Sequence, residues 1–155
     1  MNIMLTAAAA LSTLLPMTAA IAQSAAPVTP ITAQAKGSLT VTFTGLASPG
    51  GSILLSVYDS EAAFDRGGKP VRDAMIPANA AAIQTLIADL PAGRYAIKAF
   101  HDIDGDMKMA TNPFGMPTEP FAFSNDAVGN MGPAKWTDAA FTVTDGANRH
   151  SIVIR

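Results

Sequence analysis

Cysteine is absent from the 155 residues. That excludes disulfides, thiolate nucleophiles, thiolate zinc centres and thiolate-held iron–sulfur clusters. Charge is scarce as well: 10 Lys+Arg and 12 Asp+Glu make up 14% of the chain, against roughly 25% in an average soluble domain. The formal net charge of −2 supplies no field that would draw in nucleic acid or anionic lipid. Imidazole is limited to His101 and His150, and no Gly-x-Ser-x-Gly, His-Glu-x-x-His or P-loop occurs. No catalytic set is recognisable, and the chain reads as a non-enzyme with no specified cofactor.

No Lys, Arg, Asp or Glu precedes Lys36. Residues 3–15 are apolar or small, and Ala20-Ile21-Ala22 supplies the Ala-x-Ala site of a secretory signal peptide. A basic n-region is missing. Pro16 interrupts the apolar run short of the about 20 residues a membrane span needs. The expected organisation is a signal peptide over 1–22, a flexible leader rich in Ala, Pro and Thr over 23–35, and one domain over 36–155. That places the protein in the periplasm or outside the cell after cleavage near Ala22, with no membrane span in its mature form. About 120 residues can carry a core without disulfides.

The domain reads as β. Residues 38–44 alternate strictly, with Leu39, Val41 and Phe43 on one face and hydroxyl residues on the other. A turn at 48–51 leads to a strand over 53–58, and the two strands read as a hairpin. Asp59-Ser60-Glu61-Ala62-Ala63-Phe64 carries an N-cap candidate and suits one helical turn. Short strands are expected over 71–76 and 81–88, the second with Ala and Leu content that also suits a helix. Leu90-Pro91-Ala92-Gly93-Arg94-Tyr95 opens the next strand, and Tyr95 stands where a tyrosine corner would bond back to the preceding loop. Strands at 139–144 and 151–154 flank 145–148, a hairpin connection. About seven short antiparallel strands predict an all-β, immunoglobulin-like or prealbumin-like sandwich with one long ordered loop.

That loop, 101–137, holds Phe114, Phe121, Phe123, the only Trp (Trp136), and Met107, Met109, Met116 and Met131. Its aromatic content argues for order, and segments of this length are usually functional or disordered. Asp102, Asp104 and Asp106 match the first, third and fifth positions of a calcium loop, with Asn112 a further oxygen donor. Met107 stands where the EF-hand pattern wants Gly, and Pro113 where it wants Glu. An Asx turn without metal fits the same residues. The methionines with His101 could offer Cu(I) soft ligands, but methionine also fills irregular gaps beneath loops. Glu119 and Glu61 are the only glutamates. Glu119 could pair with an Asp for glycoside chemistry, or hold the loop shut by accepting backbone donors.

Leu90-Pro91-Ala92-Gly93-Arg94-Tyr95-Ala96-Ile97, His101-Asp102, Asn112, Gly115-Met116-Pro117-Thr118-Glu119 and Phe123-Ser124-Asn125 together resemble a family of small exported bacterial proteins known only as a domain of unknown function. The resemblance covers about residues 36–155. It implies a prealbumin-like or immunoglobulin-like sandwich and a periplasmic or secreted location, and transfers no activity. Ala110 replaces a usual Asp and Ala122 a usual Gly, and the former weakens a calcium site.

The function expected is therefore a non-catalytic exported sandwich that binds an unidentified protein or small molecule through 101–136. His101, Glu119, Phe121, Phe123, Ser124, Asn125 and Trp136 are the loop candidates. A calcium-stabilised structural module and a carboxylate-dependent enzyme are the alternatives.

Overall fold

Alternation in the first strand decides how the layers form. In β1 (Lys36–Thr44) Leu39, Val41 and Phe43 are wholly buried, and the hydroxyl residues Thr40, Thr42 and Thr44 are half-buried. The computed structural model describes residues 36–155 apart from Ser48, so the signal peptide and leader expected over 1–35 lie outside the described residues. The chain continues through β2 (Ser52–Tyr58), α1 (Glu61–Arg66), β3 (Arg72–Pro77), β4 (Ile83–Pro91), β5 (Gly93–Asp102) and β6 (Phe121–Phe123). A 3-10 turn (Ser124–Asp126), α2 (Trp136–Ala139), β7 (Phe141–Val143) and β8 (Gly146–Val153) complete it.

The strands form two packed sheets, an all-β sandwich. One sheet has the order β4-β1-β8. The other runs β3-β2-β5-β6, with β7 paired to the start of β5. Leu39, Val41, Phe43, Ile83, Ile87 and Ile152 of the first layer meet Ile53, Leu55, Val57, Ile97 and Ala99 of the second in one core. Full burial of one aliphatic side chain is worth about 1.5–3 kcal/mol. This interlayer core does the work that cross-links do in many small domains.

Both expected hairpins give way to sheet crossings. β1 pairs with β4 and, in parallel, with β8, whereas β2 pairs with β3 and β5. Residues 45–51 exceed the usual two to five residues of a hairpin loop, roughly, and stacking β1 over β2 buries the apolar face of each. β7 and β8 are only two residues apart, yet they pair with β5 and β1 respectively. Asn148 makes that corner. Its Oδ1 accepts the Thr144 N–H at 3.0 Å and hydroxyl at 3.1 Å, and its Nδ2 donates to the Thr144 carbonyl at 2.8 Å. One side chain thus replaces the cross-strand partner that Thr144 gives up.

The remaining expectations fall close to the elements found. The 81–88 segment is a strand, β4, rather than a helix. The helical turn is α1, with Ser60 at its N-cap and Gly67 closing it at φ 70°. Tyr95 is 4% exposed, and its hydroxyl donates to the Pro91 carbonyl at 2.7 Å. It is a tyrosine corner.

A second, aromatic cluster lies beside the main core. Tyr58, Phe64, Phe123 and Trp136 pack together with Ala96, Ala134 and Ala139. Phe64 meets the other three rings edge-on at 5.5–6.1 Å. The cluster ties α1 and α2 to the sheet and fixes the far end of the excursion that leaves β5.

Candidate functional site

The excursion from β5 is held by two buried carboxylates. Asp102, 1% exposed, ends β5 and accepts the N–H groups of Gly105 (2.8 Å) and Met107 (3.0 Å), one on each oxygen. Glu119, 8% exposed, accepts Ile103 N–H at 2.9 Å and Ala110 N–H at 3.0 Å. The two glutamate oxygens therefore clamp both ends of the aspartate turn. His101 is buried on the core side and donates Nε2–H to the Gly50 carbonyl at 2.6 Å. Beside it Gly51 has φ 65°, and a Cβ there would meet the Asp102 carbonyl oxygen at 2.0 Å. Only glycine fits that crossing.

Asp102, Asp104 and Asp106 bring a side-chain oxygen each to within 4.8 Å of one another. Asp104 and Asp106 also accept backbone N–H groups, from Asp106 (3.1 Å) and Lys108 (2.8 Å). Three carboxylates are short of the about six to eight oxygens that calcium takes. Asn112 directs its Oδ1 to the N–H groups of Phe114 (2.9 Å) and Met116 (3.0 Å), capping its own turn. The turn satisfies its own backbone in the manner of Asx turns.

Ser124-Asn125-Asp126 joins three elements. Ser124, fully buried, accepts Ile97 N–H at 2.8 Å and donates to the Ala139 carbonyl at 2.6 Å. Ile97 falls between the β7-paired and β6-paired stretches of β5, so the hydroxyl fills a gap in the ladder. Asn125 holds φ 58°, a conformation amide and carboxylate side chains tolerate. Its Nδ2 donates to the Asp138 and Ala140 carbonyls, and its N–H to His150 Nε2 at 3.1 Å. Asp126 accepts Val153 N–H at 2.8 Å. These residues fasten the loop to α2 and β8.

What the excursion covers is the outward face of the five-stranded sheet. Strand register sets Met75, Leu54, Phe100 and Phe121 in one row across it, and Asp73, Ser56, Lys98 and Phe123 in the next. The first of these rows is apolar throughout, where the outward face of an ordinary antiparallel sheet would be polar. Between it and the excursion lies an open cleft of about 1440 Å³. All five methionines among the described residues, Met75, Met107, Met109, Met116 and Met131, line it. Nine large apolar side chains are exposed among the described residues, and seven belong to this cleft: Met75, Met107, Phe114, Met116, Phe121, Val128 and Met131. His101 is not among the lining residues, so the imidazole and thioethers imagined together as Cu(I) ligands do not converge.

The chain matches the family described as "Uncharacterized protein conserved in bacteria (DUF2141)" over residues 41–151. It belongs to that family. No curated protein and no solved structure matches it. The matched segment runs from within β1 to within β8, so the family region of this member of DUF2141 takes in the excursion and most of the sandwich and cleft, with Val153 and Arg155 of the cleft wall beyond it.

Charge in the cleft is sparse and uneven. Asp73 accepts the Ser56 hydroxyl and Asp126 the Val153 N–H. Lys98 lies half-buried over the rings of Tyr58 (5.1 Å) and Phe64 (4.5 Å), with Nζ donating to the Phe64 carbonyl. Burial holds the Lys98 ammonium below its usual pKa, a trend that Asp65 opposes and Lys135 reinforces. Of the loop candidates, Phe121 and Phe123 reach the cleft, while Trp136, Ser124, Asn125, Glu119 and His101 hold its frame. Leu54, Met75, Lys98 and Phe100 were not singled out by sequence reasoning. Their signal was available: Ile53-Leu54-Leu55 breaks period-two alternation and implies burial on both faces of β2.

Proposed function

We propose that the protein is an exported, non-catalytic binding module that takes an apolar ligand between the outward face of β3-β2-β5-β6 and the 101–136 excursion. The observation that carries this reading is the gathering of seven of the nine exposed large apolar side chains in one cleft. Contiguous apolar surface of that kind marks interaction sites in soluble proteins. Flexible, polarizable thioethers suit a surface that adapts to its occupant.

Backbone strain points the same way. Met107 and Met131 hold φ 61° and 54°, a left-handed conformation that costs an L-residue about 1–2 kcal/mol. Asn and Asp offset that cost through local hydrogen bonds, whereas methionine has none to offer. Strain of this sort collects where a surface must present particular side chains. The aspartate turn enters this reading as the hinge of the excursion, since each carboxylate already holds a backbone N–H.

Nile red, a neutral dye that brightens in apolar surroundings, tests the idea. The native chain should enhance its emission, and the double variant Met75→Glu, Met116→Glu should abolish the enhancement. Both positions are well exposed (61% and 60%), so the fold tolerates the charges. Unchanged emission from the double variant would sink the reading.

A further inference from the structure

Accepting the cleft as a ligand site, the class of ligand follows from its one half-buried cation. We infer that the occupant is a single-chain amphiphile with a carboxylate head, its chain lying along the apolar row of Met75, Leu54, Phe100 and Phe121 and its head on Lys98. Among the described residues no carboxylate comes within 4.0 Å of Lys98 Nζ; the ion pairs there are Lys36–Asp89 and Lys135–Asp65. Asp65, the acid nearest in effect, also accepts Trp136 N–H at 2.9 Å.

The ammonium has three donors and one oxygen partner, the Phe64 carbonyl. Aromatic faces stabilise it further without neutralising it. A half-buried ammonium beside apolar surface, with no carboxylate in direct contact, is electrostatically complementary to a monoanion and hostile to a cationic head. The cleft's other acids are occupied, as described above. Its other cation, Arg155, is exposed, and exposed ion pairs contribute little.

The register places the charge at one side of the apolar surface. Lys98 shares its row with Ser56 and Asp73, and the neighbouring row is Met75, Leu54, Phe100 and Phe121. An extended hydrocarbon on that second row sets its head against the first. A peptide would bring backbone N–H and C=O groups that the apolar row leaves without partners, and a second copy docked face to face about a two-fold axis would bring another Lys98 to the same face.

Displacement of Nile red from the full chain by laurate, dodecanol and dodecylammonium decides the matter. Laurate should bind about tenfold tighter than dodecanol, equivalent to ~1.4 kcal/mol, and dodecylammonium weakest. Lys98→Met should bring laurate down to the affinity of dodecanol without changing dodecanol itself, and Lys98→Arg should keep the preference. Equal binding of laurate and dodecanol to the native chain overturns the head-group assignment while leaving an apolar site. A preference that survives Lys98→Met overturns it as well. Failure of all three to displace bound dye overturns the amphiphile as occupant, whereas a native chain that never brightens the dye removes the apolar site itself. If Lys98→Met does not fold, the head-group series on the native chain still decides. Sedimentation showing a dimer that laurate cannot dissociate would assign the cleft to a second copy instead.

Discussion

Ser124 Oγ accepts the backbone N–H of Ile97, 27 positions earlier in the chain, at 2.8 Å, and passes its own proton to the Ala139 carbonyl. A single hydroxyl therefore completes the β5 ladder between two short partner strands. Ser124→Ala leaves both buried backbone groups without partners, at about 1–3 kcal/mol for each orphaned group. Urea unfolding should show the midpoint fall with little change in slope. A loss below ~0.5 kcal/mol, the range of an ordinary surface substitution, would mean that water replaces the hydroxyl.

Glu119 clamps Ile103 and Ala110 with one oxygen each. In Glu119→Gln one bond survives and an amide N–H faces the other backbone donor. The expected cost is about 1–3 kcal/mol. It should be felt locally, as faster amide exchange over 103–119 with the core strands unchanged. Uniform exchange across the chain would contradict a clamp confined to the loop.

His150 gives stability a pH dependence. Its ring stacks on Phe141 at 4.1 Å and its Nε2 accepts the Asn125 N–H. Burial lowers its pKa from the ordinary value, against a smaller raising effect of Asp126. The unfolded chain therefore takes up the proton first as pH falls. His150's contribution is fully present above about pH 6.5, the ordinary imidazole pKa, and is lost as pH drops toward the folded value. Melting temperature should decline over that window in the native chain and less steeply in His150→Gln. Parallel curves would refute the assignment.

The aspartate turn is expected to stand without metal. Asp102 spends both oxygens on backbone N–H groups, and Asp104 and Asp106 spend one each. Melting curves in chelator and in millimolar Ca²⁺ should coincide. A rise with Ca²⁺ would reveal ion binding to the folded state, because preferential binding must raise the transition.

Legibility of the sequence varied with the range of the interactions concerned. The period-two pattern of Leu39, Val41 and Phe43 is local, and it marks a strand correctly. The same is true of Tyr95, whose hydroxyl reaches only four residues back. Pairing is not local. Nothing near Thr44 says that it will lie beside Val153, and the two-residue spacing of β7 and β8 suggested a hairpin that the Asn148 side chain displaces. The excursion was recognisable from its rings, yet Phe123 and Trp136 are buried anchors while Phe114 is 89% exposed. The site was hardest to foresee, because half its wall belongs to strands whose outward residues look like ordinary strand positions until the register aligns them.

Parallel pairing of β1 with β8 has a consequence for synthesis. A nascent chain cannot finish its smaller layer until β8 has left the ribosome, since β1 waits for it. Such sequence-distant closure slows folding, and a polypeptide stalled before Gly146 would hold β1 by β4 alone. Premature closure of the smaller layer is thereby delayed until β8 has been made.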